Sequence, residues 1–169
     1  FFLWTRWEAS AAMIRPAARL GHPMKISLVV PAFNEERLLA ASLASMRAAA
    51  SAFAERGWSW ELIVCDNNST DGTAAIARAA GARVVFEPLN RISRARNAGA
   101  AGAVGDWFLF IDADSRPTAE LFADAAAAIG RGCLAGGSTV RLEGHRRDVA
   151  FLVGFWNLLS RLNRWAAGS

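Results

Sequence analysis

Two cysteines, a single lysine and no long apolar run set the first limits on this 169-residue chain. Cys65 and Cys133 cannot build a disulfide framework, and neither stands in a CxxC or Cys/His ligand spacing, so a reducing compartment suits them. Both lie in or beside apolar stretches and read as small buried hydrophobes. Lys25 is the only lysine, and the net charge of +4 is carried by arginines scattered along the chain. Nucleic-acid binding needs basic residues gathered on one face with aromatic platforms, so no nucleic-acid partner is expected. Residues 1–23 lack both the apolar core of a signal peptide and the roughly twenty apolar residues of a membrane span. They are expected to form a poorly ordered leader, with one domain over 24–169 starting at Met24. The expected location is the cytoplasm or the inner face of its membrane.

What is present is an ordinary globular composition, 53% hydrophobic and 20% charged, arranged in alternating strand-like and helix-like stretches. Apolar runs at 26–31, 60–65, 82–87 and 107–111 read as strands, and a weaker fifth falls at 134–142. Helical spacing appears at 35–56, 71–81, 92–104 and 118–129. Nearly continuous apolar strands separated by helices predict a mostly parallel sheet with helices on both faces. Ligands of such sheets bind beyond the carboxyl ends of the strands, where the strand order reverses. A last stretch, 149–166, predicts a helix with a wide apolar face. It completes a core or makes peripheral contact with a membrane surface.

Four polar clusters fall at the predicted strand ends. Asp112-Ala113-Asp114 directly follows an apolar strand, and two carboxylates that close repel unless a cation shares them. Mg²⁺ or Mn²⁺ bound by few protein oxygens and completed by phosphate and water fits this pattern; a solvated acidic turn before the helix at 118 is the alternative. In Asp66-Asn67-Asn68-Ser69-Thr70-Asp71, a strand-end aspartate precedes amides and hydroxyls able to hydrogen-bond a base or ribose. Ser69 or Thr70 could also cap the next helix. Pro31-Ala32-Phe33-Asn34-Glu35-Glu36 leaves the first strand, with Glu35 nearer the crevice and Glu36 a helix-dipole partner. Asn90 to Gly99 opens a helix with Arg91, Arg94 and Arg96, of which Arg91 or Arg94 reads as solvated.

Taken in order, ISLVVPAFNEERLL, WELIVCDNNSTDGT and NRISRARNAGAAGAVGDWFLFIDADSRP resemble the signature blocks of family 2 glycosyltransferases over residues 25–143. The resemblance implies a Rossmann-like GT-A sheet, with the acceptor half incomplete in these residues, and transfer of a sugar from a nucleoside-diphosphate sugar to an acceptor hydroxyl. It implies that Pro31, Ala32, Asn34 and Glu35 line the nucleoside pocket. Asp66 would accept from the base and Asn68 would lie in the same turn. Arg96 and Asn97 would lie along the nucleotide. Asp112 would face ribose and metal, and Asp114 would ligate the metal. It further implies that the general base and acceptor site follow Ser169, so that these residues alone bind donor only. Arg91 stands near where the family often has glycine. Two other readings are a noncatalytic nucleotide-binding module and a haloacid-dehalogenase-type phosphohydrolase using Asp112 and Asp114. The latter needs a later lysine and a further acidic pair, and neither follows Asp114.

Overall fold

The computed structural model describes residues 2–6 as backbone and residues 24–138 in full. The described residues up to Gly137 gather into one compact unit. The predicted helix at 149–166, and the strand prediction beyond 138, lie outside the described residues.

In chain order the strands are β1 (Phe2–Arg6), β2 (Lys25–Ala32), β3 (Ser59–Asp66), β4 (Arg83–Phe86), β5 (Trp107–Ile111) and β6 (Ala135–Gly137). The helices are α1 (Leu39–Ala49), α2 (Ser51–Ala54), α3 (Thr73–Ala79), α4 (Ile92–Ala101) and α5 (Ala119–Gly130). They form one sheet in the order β4-β3-β2-β5-β1-β6. The β4-β3-β2-β5 portion is parallel, as the apolar runs predict. The order runs outward from β2 through β3 to β4, then returns to place β5 on the other side of β2. That reversal puts the crevice between the ends of β2 and β5.

Residues 2–6, expected to belong to a poorly ordered leader, instead form β1, antiparallel to both β5 and β6. Phe, Trp and Thr in this stretch suit a strand, but the edge of β5 that pairs with it lies a hundred residues away and is invisible to local pattern.

Alternation along the strands sends Ile26, Leu28, Val30, Leu62, Val64, Leu109 and Ile111 into one buried cluster. Leu39, Leu43 and Met46 of α1, Phe53 of α2, and Phe122 and Ile129 of α5 fill the same cluster. The Phe53 and Phe122 rings stack at 5.0 Å between centroids. Val29 and Cys65 face the other side, against α4, where a Cβ on Gly99 would stand 2.6 Å from Val29 Cγ1. Only glycine permits that approach. Helices therefore cover both faces, as predicted.

The helix predicted from 35 begins at Leu39; before it, the Glu35 and Glu36 amides donate to Thr73 Oγ1 and Asp71 Oδ2 of the neighbouring loop. Thr118 caps α5, its hydroxyl accepting from the Leu121 amide. Cys65 is buried as expected, whereas Cys133 is exposed beyond the end of α5.

Candidate functional site

Parallel pairing sets three strand ends level. Ala32 of β2 lies opposite Asp66 of β3, which in turn lies opposite Phe86 of β4. β5 runs in the same direction and ends at Ile111, so Asp112 and Asp114 leave the sheet at the edge that carries Glu35 and Asp66.

The loops after β2 and β3 are laced together. The Asn34 amide donates to Ser69 Oγ at 3.0 Å, and the Thr70 amide donates back to Asn34 Oδ1 at 2.8 Å. The Gly72 amide donates to Glu36 Oε2 at 2.9 Å, so Glu36 has a loop-locking role beyond dipole pairing. Asn34 and Asn68 both adopt positive φ, 55° and 66°, which asparagine tolerates better than most residues. Ser69 and Thr70 are thus occupied in joining loops and do not cap α3, whose N-cap is Gly72. Asp71 accepts from both the amide and the hydroxyl of Thr73, at 2.9 and 2.5 Å. Burial works against its charge, but these bonds prevail and hold the Asp71 carboxyl below its usual range.

Between the ends of β2 and β5 opens a cleft of about 320 Å³. Pro31, Ala32 and Glu35 line it from the end of β2, and Asp112 and Asp114 from the end of β5. Burial, then the charges of Asp114, Asp71 and Asp112, push the Glu35 carboxyl above its usual range. Acidic groups from separate parts of the chain therefore sense one another across the site. Arg96 of α4 reaches Asp112, Nη2 to Oδ1 at 3.0 Å. Asp114 is exposed. Among the described residues no group of three or more His, Cys, Asp or Glu is placed to hold a metal ion. Asp114, exposed beside the Arg96-paired Asp112, still suits a hard divalent cation that takes its remaining oxygens from water and a diphosphate.

Other predicted residues are placed differently. Asp66 is buried, and its Oδ1 accepts from the Ser69 amide at 3.0 Å; it does not line the cleft. Asn34 and Asn68 are exposed in the laced loops, and Asn97 is exposed on α4; none of the three lines the cleft. Arg94, read as potentially solvated, pairs with buried Glu87 at 3.0 Å.

Five lining residues are absent from the predicted set: Phe33, Asn67, Asn90, Ile92 and Ala113. Asn67 is the informative one. It is 3% exposed, and its Nδ2 donates to the Glu87 carbonyl at 3.2 Å and the Leu89 carbonyl at 2.6 Å. The flipped amide would set its oxygen against two carbonyls, so this orientation is physically determined. Oδ1, an acceptor, is the polar atom that remains for a ligand. Side chains of adjacent residues diverge at a strand end, and sequence alone does not say whether Asp66 or Asn67 turns to the crevice.

Comparison with known proteins agrees with this geometry. The profile described as glycosyl transferase family 2 matches residues 27–156. An uncharacterized glycosyltransferase of Mycobacterium tuberculosis is 34% identical over 131 residues, covering 78% of this chain and 53% of that protein. The chain thus spans about half the length of these curated relatives. Among solved structures, S. aureus TarS superposes with a TM-score of 0.53 at 29% identity, covering 64% of this chain and 33% of that one. Glucosyl-3-phosphoglycerate synthase of Mycobacterium tuberculosis, solved with Mn²⁺, UDP and glucosyl-3-phosphoglycerate, gives 0.53 at 31% identity, covering 74% and 46%. These likenesses leave the phosphohydrolase reading without support. By its sheet, its ordered motifs and the profile that matches most of its length, the chain belongs to glycosyl transferase family 2.

Proposed function

We propose that the cleft between β2 and β5 binds a nucleoside-diphosphate sugar together with Mn²⁺ or Mg²⁺, and that the whole protein transfers the sugar to an acceptor hydroxyl. The observation that carries this reading is the meeting of Glu35 from one strand end with Asp112 and Asp114 from another in a single cleft. In this reading Asp114 ligates the cation, and Asp112, held by Arg96, supports cation and ribose. Asn67 Oδ1 accepts an N–H of the base, a role the sequence had suggested for Asp66. The bound cation supplies a positive charge that stabilises the leaving diphosphate. Relatives solved in complex with UDP, and with Mn²⁺ and UDP-glucose, support the choice of ligands.

Calorimetric titration with UDP and with GDP, with and without Mn²⁺, tests this proposal. Mn²⁺ should tighten binding of one nucleotide by roughly tenfold or more, equivalent to ~1.4 kcal/mol. Asp114→Ala should remove that gain. Metal-independent binding that ignores the substitution overturns the reading.

A further inference from the structure

Behind the cleft wall lies a polar assembly that the proposed chemistry does not use. Glu87, immediately after β4, is 7% exposed yet carries a carboxylate. Its Oε1 accepts from the Leu89 amide at 3.0 Å and from Arg94 Nε at 3.0 Å, while Oε2 accepts from Arg94 Nη2 at 3.3 Å. These bonds, led by that from the Arg94 side chain, hold the Glu87 carboxyl below its usual range. A buried carboxylate this fully engaged is costly to assemble, and it fixes whatever it touches. What it touches is a turn whose two carbonyls, those of Glu87 and Leu89, accept both Nδ2 protons of Asn67.

We propose that Glu87 is a positioning residue for base recognition. By closing the turn onto the Leu89 amide, and by tying that turn to α4 through Arg94, it keeps both carbonyls aimed at the Asn67 amide. Asn67 is then committed to presenting an acceptor. The cleft accordingly accepts bases with a ring N–H, such as uracil or guanine. It disfavours cytosine and adenine, whose corresponding ring nitrogen is bare and would face Oδ1 lone pair to lone pair. If the turn relaxes, the Asn67 amide is free to rotate, offer Nδ2, and lose the distinction. This inference rests on the assignment of Asn67 to the base made above.

The test is titration of the whole chain, in saturating Mn²⁺, with UDP against CDP and GDP against ADP. The wild type should favour the N–H-bearing member of the pair it binds by about tenfold or more. Glu87→Ala and the milder Arg94→Met should each narrow that preference to within roughly threefold. Glu87→Gln, which keeps an acceptor for the Leu89 amide, should largely retain it. A turn that merely stabilised the fold would weaken both members equally and leave their ratio unchanged, and that result overturns the proposal. Arg94→Met keeps the question answerable if Glu87→Ala does not fold. A wild type that binds both members alike instead removes the Asn67 assignment itself, which separates the two failures.

Discussion

The Glu35 carboxyl sits where burial and the charges of Asp114, Asp71 and Asp112 all disfavour ionisation, while that of Glu87 sits where Arg94 and the Leu89 amide favour it. The two must respond oppositely to pH. A carboxyl whose folded pKa is raised adds stability that is complete below its unfolded value, near 4.5, and is lost as pH rises through the folded pKa. A depressed one adds stability present above the unfolded value and lost as pH falls through the folded pKa. Glu35→Gln is therefore expected to raise the urea midpoint at pH 7, with the difference from wild type shrinking toward pH 4.5. Glu87→Gln should lower it at pH 7, with the difference closing only at more acidic pH. A Glu35→Gln difference that grows on acidification would show that the site charges do not couple as described. At this scale the sequence was informative about which residue types gather and less so about which of two neighbours is used. Asp112, Asp114 and Glu35 were legible because each follows an apolar run. Asn67 was not, because its orientation is set by two carbonyls on a turn some twenty residues later.

At the scale of elements, β5 was read to the residue because its five apolar side chains stand between a polar loop and an acidic pair. α1 starts four residues later than its apolar spacing predicts, after a turn over 36–38, because apolar spacing does not mark where a turn becomes a helix. β1 could not be read locally at all, because its partner strand supplies its hydrogen bonds. The close contact of α4 with the sheet was equally hidden, although Gly99 was visible in its motif. Gly99→Ala should force Val29 or the helix to shift, since the new Cβ would lie 2.6 Å from Val29 Cγ1. A loss of about 1–3 kcal/mol in urea unfolding is expected. Because α4 also carries Arg96 and Arg94, nucleotide binding should weaken with it. Unchanged stability would mean that α4 does not bear on β2 as closely as described.

Across the whole molecule, strand direction decides where the cleft forms. Four parallel strands bring loops separated by up to eighty residues to one edge of the sheet, at the point where strand order reverses. The eight residues of β2 span roughly 26 Å, so the two edges of the sheet are well separated for any probe placed at one of them. Mn²⁺ is such a probe, because its unpaired electrons broaden nearby amide resonances. The most direct measurement is the pattern of broadening in a ¹⁵N-labelled chain as Mn²⁺ is added. Glu35, Ala113 and Asp114 should broaden together at the lowest metal concentrations, Ser59 and Gly105 at the opposite edge should not, and Asp114→Ala should abolish the pattern. Broadening that begins at the opposite edge, or that reaches Asp114 without Glu35, would contradict the convergence on which the proposed function rests.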